Sequence, residues 1–179
     1  MISTKDLVLI ALFAALIAVL GLIPKLDLPF AAGVPITAQT LGVMLAGLLL
    51  GAKRGALAVL LFLFVVALGA PVLSGGRGGL GVFLSPTVGF LVGWVFGAFA
   101  CGWLSDRLHR MLWKSRFWSA LVAALLGGVV VIYAFGVPGL ALITGMNLKQ
   151  AFTVTLAFLP GDLMKALISA WVAKRIGRV

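Results

Sequence analysis

The stretch from Phe83 to Leu104, FLSPTVGFLVGWVFGAFACGWL, contains 22 residues and no charged side chain. A helix needs about 20 mostly apolar residues to cross the hydrocarbon core of a bilayer. The apolar residues of this stretch are continuous rather than alternating, which favours a spanning helix over a strand of a membrane β-barrel. The stretch therefore predicts one transmembrane helix.

Five further apolar runs lie on either side of it. They are Leu7–Ile23, Val34–Leu50, Gly55–Leu68, Trp118–Phe135 and Phe152–Val172. The first run could be a cleaved signal peptide, but it is longer than the usual apolar region of such a peptide, so we interpret it as a spanning helix. We therefore expect an all-α polytopic membrane protein, in which residues 1–179 form a single bundle of six transmembrane helices.

The composition agrees with a membrane protein. Of 179 residues, 63% are hydrophobic and 10% are charged, whereas soluble domains carry about 25% charged residues. A soluble domain of this size leaves too much of its surface in water to hide so many apolar side chains. A cytosolic globular enzyme and a disordered chain are therefore excluded.

The fourteen basic residues are distributed unequally between the two ends of the predicted bundle. Lys25, Arg77 and Lys149 fall on one side, and Lys165 falls inside a span. The other side carries ten: Lys5, Lys53, Arg54, Arg107, Arg110, Lys114, Arg116, Lys174, Arg175 and Arg178. Because basic loops remain in the cytoplasm, we expect both termini there and the chain in the cell membrane. Since these residues occupy separate short loops, no nucleic-acid partner is expected.

The last run contains the segment Pro160–Lys165, PGDLMK. Asp162 and Lys165 are three residues apart and share one face of a helix, and ionisable residues inside a membrane usually face a cavity. Pro160 and Gly161 are expected to break or open the helix just ahead of them. The pair is either an ion pair that only fixes packing or a polar ligand site.

A second polar feature is Ser74–Gly81, SGGRGGLG, with Arg77 at its centre. Its five glycines permit positive φ angles, and exposed N–H groups in such a loop can form an anion-binding concavity. The alternative is a flexible connector.

A third feature is Gly33–Thr40, GVPITAQT, which opens the second run. Thr37, Gln39 and Thr40 are either a helix cap with interface residues or ligand contacts. On the expected topology all three features lie at the external ends of the helices. This arrangement predicts an outward-facing pocket for a small polar molecule.

No metal or cofactor site is expected, because Cys101 lies in an apolar run, where we expect a core residue, and His109 lies in a basic loop. There is no Walker A motif and no Ser–His arrangement, so we expect no enzyme. An intramembrane enzyme that uses Asp162 and Lys165 as acid–base groups is the alternative.

Four alanines of the first run, Ala11, Ala14, Ala15 and Ala18, are spaced so that helices can approach closely. They serve either packing within the bundle or docking of another membrane protein.

Taken in order, several short motifs resemble one known family. They are Val34–Leu41, Leu45–Gly51 leading into Arg54–Ala56, Gly75–Gly79, Pro86–Thr87, and Pro160–Asp162 with Lys165. Together they resemble the BioY family, the biotin-specific substrate-binding (S) components of energy-coupling factor (ECF) transporters, over nearly the whole chain.

The resemblance implies a six-helix bundle that takes up biotin without chemistry on it. It implies that the four alanines dock a transmembrane coupling protein and that two ABC-type ATPases complete the transporter. Members are also suggested to work without dedicated partners, and a homo-oligomer is an open alternative. An S component for another vitamin and a scaffold protein without a ligand remain rival interpretations.

The resemblance also implies a set of substrate-binding residues: Thr37, Gln39, Arg77, Gly78, Phe90, Asp162 and Lys165. We expect Asp162 to accept the ureido N–H groups of biotin, and Gln39 with Thr37 to contact the ureido carbonyl or nearby polar atoms. Either Lys165 or Arg77 binds the carboxylate, unless Lys165 only neutralises Asp162. The glycine loop is expected to act as a lid.

One motif departs from the family pattern. Members often read Gly-Pro-Thr-Gly-Gly-Tyr after the glycine loop, whereas this chain reads SPTVGF over residues 85–90. Phe90 has no hydroxyl, so we expect only its ring to pack on a ligand.

Overall fold

A computed structural model describes residues 3–25, 27, 29, 31, 33–111 and 115–179. Lys114, one of the predicted cytoplasmic residues, lies outside them. Within these ranges the chain forms six long helices, a short 3₁₀ turn over Leu80–Leu84 and no sheet. The long helices are α1 Thr4–Leu20, α2 Gln39–Leu50, α3 Ala52–Ala67, α4 Val88–Met111, α5 Arg116–Thr144 and α6 Leu148–Ile176. The prediction of an all-α chain with six helices is confirmed.

The helices differ in length. The last three, α4 to α6, are long and apolar enough to cross a membrane. The first three contain 17, 12 and 16 residues. At 1.5 Å per residue, the 12 residues of α2 extend about 18 Å, less than the hydrocarbon thickness of about 30 Å. Its apolar run therefore needs residues before the helix to reach the other side.

The prediction that the second helix begins at Val34 is wrong, because α2 begins at Gln39. Pro35 has no backbone N–H, and Gly33 has a φ of 79°, outside the helical region. Residues 34–38 are non-helical. At membrane depth such backbone is tolerated where it is buried in protein or lines a cavity, and part of this segment lines the cavity described below.

The fifth helix is longer than the predicted Trp118–Phe135 and contains a π-helical stretch, Leu126–Val131. Gly127 and Gly128 lie within it. A Cβ at Gly127 would meet the backbone N of Cys101 at 2.5 Å, and one at Gly128 would meet the Met44 side chain at 2.5 Å. The glycines therefore allow α2 and α4 to approach the π turn. Such turns are frequent at functional sites.

The expected opening of the last helix at Pro160 is wrong. The backbone forms a 3₁₀ turn over Leu156–Phe158 and continues as α-helix from Leu159 to Ile176. Pro160 occupies the first turn of that α-helical stretch, where a missing N–H costs little. The hydrogen bonding changes before the proline, but the helix is not broken.

The two ends of the chain meet at one end of the bundle. Arg54, at the start of α3, binds Asp6 of α1 at 2.8 Å and the Val179 carbonyl oxygen at 3.0 Å. Arg178 pairs with Asp106 near the end of α4. Cys101 is fully buried, as predicted for a core residue.

Candidate ligand-binding site

A cavity opens at the opposite end of the bundle from the termini. The volume of the cavity, including the space at its mouth that is open to solvent, is about 560 Å³. Non-helical backbone before α2, the loop after α3, and parts of α2, α4, α5 and α6 surround it. The lining residues are Val34, Pro35, Ile36, Thr37, Gln39, Thr40, Leu73, Arg77, Thr87, Phe90, Leu91, Trp94, Ile132, Tyr133, Phe158, Asp162 and Lys165. The wall is mainly apolar and carries a few polar groups, which is typical of small-molecule sites.

The carboxylate of Asp162 is the centre of the polar part of this wall. Asp162 is 5% exposed. Its Oδ1 accepts from Lys165 Nζ at 2.9 Å and from the Thr40 hydroxyl at 3.3 Å. Its Oδ2 accepts from the Tyr133 hydroxyl at 2.7 Å. Side chains from α2, α5 and α6 therefore hold one buried negative charge, as a buried charge requires.

Gln39 is fully buried and its amide is bonded to the protein backbone. Its Nε2 donates to the carbonyl oxygens of Ile17 at 3.1 Å and Val72 at 3.2 Å. Its Oε1 accepts from the Ser74 N–H at 3.0 Å. Gln39 thus joins the end of α1 to the loop after α3, and neither amide hydrogen is left for a ligand.

Arg77 lies in a tight hairpin that closes on the cavity. Leu73 and Arg77 exchange two backbone hydrogen bonds of 3.0 and 3.2 Å, and Gly75 and Gly76 turn the chain with φ angles of 81° and 69°. Burial lowers the pKa of the Arg77 guanidinium, and the charge of Asp27 opposes this shift. An arginine remains cationic at neutral pH. The Arg77 guanidinium donates from Nε to the Ser74 carbonyl oxygen at 3.4 Å. Its other N–H groups make no hydrogen bond within the described ranges.

Aromatic rings form the apolar side of the cavity. Phe90 is 7% exposed and lies edge-on to Tyr133 and Phe158, with ring centroids 6.4 and 6.2 Å apart. Trp94, one turn further along α4, also lines the cavity. These rings could cover a small apolar ring system.

The BioY family model matches residues 1–179. The chain belongs to the BioY family. A protein of Rhizobium etli called biotin transporter BioY is 55% identical, and the match covers 97% of this chain and 94% of that protein. The protein of the same name in Rhodobacter capsulatus is 46% identical with the same coverage.

The fold is also similar to a solved crystal structure. That structure is the S-component for biotin from an ECF-type ABC transporter; it matches with a TM-score of 0.89 at 34% identity and covers 96% of this chain and 90% of its own. The suspected relationship to BioY proteins is therefore confirmed by sequence and by structure.

Six of the seven predicted substrate-binding residues line the cavity of this BioY chain: Thr37, Gln39, Arg77, Phe90, Asp162 and Lys165. Gly78 does not. A side chain at Gly78 would collide with the backbone of Ala70, so this glycine permits a close approach of two backbone segments instead. Sequence reasoning did not select Tyr133, although it is the only tyrosine in the chain, and it left the already noted Thr40 out of the site.

The four predicted docking alanines are not equally accessible. Ala11 and Ala15 are exposed on α1 and Ala18 is half-buried. Ala14 is 7% exposed and packs in the core of the bundle. Of the four alanines, Ala11, Ala15 and part of Ala18 are accessible to another protein on this BioY fold, and Ala14 is not.

Proposed function

We propose that this chain binds biotin in the cavity around Asp162 and acts as the S component of an ECF transporter in the plasma membrane, with both termini in the cytoplasm. One observation carries the proposal: a BioY-family chain holds a buried carboxylate at the wall of a mainly apolar cavity. The alternative of an intramembrane enzyme is set aside, because the family is one of transporter components.

The ureido group of biotin needs hydrogen-bond acceptors for its N–H groups. An ionised carboxylate has about four acceptor sites, and Asp162 uses two on Oδ1 and one on Oδ2. One ureido N–H can therefore bind Oδ2 directly. A second can replace the Thr40 hydroxyl, whose bond of 3.3 Å is the longest of the three. Such bonds to a charged group are strong in a dry site.

The remaining polar contacts follow from which groups still have free donors. Thr37 lines the cavity, and its hydroxyl makes no hydrogen bond within the described ranges, so it can donate to the ureido carbonyl. Gln39 instead positions the hairpin. Lys165 is engaged by Asp162 and Thr40, and its charge neutralises the carboxylate. That leaves Arg77 as the cation for the valerate carboxylate.

Biotin's fused rings and aliphatic tail would be buried against Phe90, Trp94 and Phe158. Each buried methylene contributes about 0.8 kcal/mol. Another vitamin that lacks a ureido group would leave Asp162 with an unused acceptor in a buried site, which is unfavourable. This argument favours biotin over the rival vitamins.

Uphill transport needs an energy source that the chain lacks, since the sequence has no Walker A motif. We propose that a transmembrane coupling protein docks on Ala11, Ala15 and the accessible part of Ala18, and that two ABC-type ATPases drive the cycle. The purified chain alone should bind biotin and hydrolyse no ATP.

Equilibrium binding of biotin to the purified chain in detergent tests the proposal, with riboflavin and thiamine as comparison ligands. We expect biotin alone to raise the melting temperature, because a ligand that binds only the folded state stabilises it. Asp162→Asn should weaken biotin binding about tenfold or more, which corresponds to the loss of one charged hydrogen bond. Unchanged affinity in this variant would remove Asp162 from the site.

A further inference from the structure

Every acidic residue of the chain forms an ion pair. The sequence contains four, all aspartates, and they pair as Asp6–Arg54, Asp27–Lys25, Asp106–Arg178 and Asp162–Lys165. No other basic side chain forms an ion pair in the ranges that the structure describes. The remaining positive charge is concentrated at the end of the bundle that carries both termini, where it lacks acidic partners.

An open apolar groove begins at that end, between the start of α5 and the second half of α6. Phe117, Leu167, Ile168 and Trp171 line it. Trp171 is 55% exposed, and Leu167 and Ile168 are each 44% exposed. The three α6 residues span four residue steps, slightly more than one turn, so the groove follows the helix for about 6 Å. We call it the α5–α6 groove.

A cation stands at the mouth of the groove. The guanidinium carbon of Arg175 lies 5.4 Å from the centre of the Trp171 ring, one turn nearer the end of α6. A ring held against the guanidinium face leaves the N–H groups at its edge free to donate. Lys174 is exposed beside it, and Arg116 precedes Phe117 on the other wall. Guanidinium groups bind phosphate with two parallel hydrogen bonds.

We propose that the α5–α6 groove binds one anionic phospholipid, with its phosphate on Arg175 and one acyl chain against Trp171, Ile168 and Leu167. Basic pockets between transmembrane helices are suited to anionic headgroups, and tryptophan side chains favour the headgroup level. The apolar groove directly beneath an unpaired cation matches the two parts of such a lipid. The groove is distinct from the α1 face, because α1 packs against α2 and α3.

Native mass spectrometry of the delipidated full chain tests this, with phosphatidylglycerol and phosphatidylcholine as probes. We expect one phosphatidylglycerol to bind at least about tenfold more tightly than phosphatidylcholine, as one charged hydrogen-bonded contact provides. Arg175→Gln should remove that preference, and Trp171→Leu should weaken the binding of both lipids. Both variants should retain biotin binding, because neither residue lines the cavity, and this shows that they fold.

The matched control is Arg110→Gln, which removes the same charge from an exposed position in the last turn of α4. It should leave the preference for phosphatidylglycerol unchanged. Equal losses in Arg175→Gln and Arg110→Gln would mean that the lipid responds only to overall charge and would overturn the site. Displacement of the lipid by glycerol phosphate at comparable concentration would assign recognition to the headgroup alone and would overturn it as well.

Discussion

The hydroxyl of Tyr133 donates to Oδ2 of Asp162 at 2.7 Å across 29 residues of sequence. The π turn of α5 ends at Val131, and one residue, Ile132, separates it from Tyr133. An extra residue in a π turn changes which side chains of the following helix face inward. The π turn therefore helps determine that a hydroxyl, rather than an apolar side chain, meets the carboxylate.

Replacement of Tyr133 by phenylalanine should weaken biotin binding about tenfold, because a hydrogen bond to a charged group contributes about 1.5–3 kcal/mol. The ring that packs edge-on against Phe90 remains in this variant. Isothermal titration calorimetry measures the effect. Thr153→Val, which removes an exposed hydroxyl on α6, should leave the affinity unchanged.

A double-mutant cycle with Asp162→Asn distinguishes positioning from a separate ligand contact. If Tyr133 acts by orienting the Asp162 carboxylate, the double variant should bind biotin about as weakly as Asp162→Asn alone. Additive losses would show that the two residues act independently and would contradict the positioning role.

Gln39→Leu should lower the melting temperature of the ligand-free protein. The substitution leaves the carbonyl of Val72 and the N–H of Ser74 without a buried partner, and each such group costs about 1–3 kcal/mol. Thr37→Val is the control, since Thr37 lines the same cavity without a described hydrogen bond; it should reduce biotin affinity but not ligand-free stability. An unchanged melting temperature for Gln39→Leu would return this residue to the list of direct ligand contacts.

The fold was predictable from the sequence because hydropathy alone locates the six apolar runs. The position of Asp162 and Lys165 was also predictable, because a charge in an apolar span is rare enough to require a cavity. The start of α2 was not, since Val34 and Ile36 are as apolar outside a helix as inside one. Residue identity likewise could not reveal that Gln39 bonds to backbone, because every residue supplies the same carbonyl.

Tyr133 was missed for a different reason. A tyrosine in an apolar span does not by itself indicate a binding site. The direction of its side chain depends on the helical phase after Gly127 and Gly128. The glycine pair was the available signal: two adjacent glycines in a spanning helix mark a place where the packing or the helical repeat changes. The sequence alone does not indicate whether the packing or the helical repeat changes.

Arg77→Gln should weaken the binding of biotin about tenfold but leave the binding of biotin amide unchanged. Most donors of the Arg77 guanidinium are free, whereas two of the three Lys165 donors are engaged. A carboxylate gains more from the guanidinium than a neutral amide does. Lys149→Gln, which removes an exposed charge at the start of α6, is the control for a general effect of charge. An equal loss for biotin and its amide would indicate that Arg77 supports the hairpin rather than the carboxylate.

The stability contribution of Asp6 should disappear in acid. Hydrogen bonds from the backbone and side chain of Ser3, together with the Arg54 guanidinium, lower the pKa of the Asp6 carboxyl below its ordinary value. A group with a lowered folded-state pKa stabilises the protein above its unfolded pKa of about 4, and this stabilisation is lost as the pH falls through the folded pKa. Asp6→Asn should therefore melt below the unmodified chain at pH 7, and the difference should shrink steadily below about pH 4. Lys5→Gln, at the neighbouring exposed position, should have the same melting temperature as the unmodified chain at pH 7 and at pH 3. A gap for Asp6→Asn that stays constant down to pH 3 would assign its effect to something other than the charge.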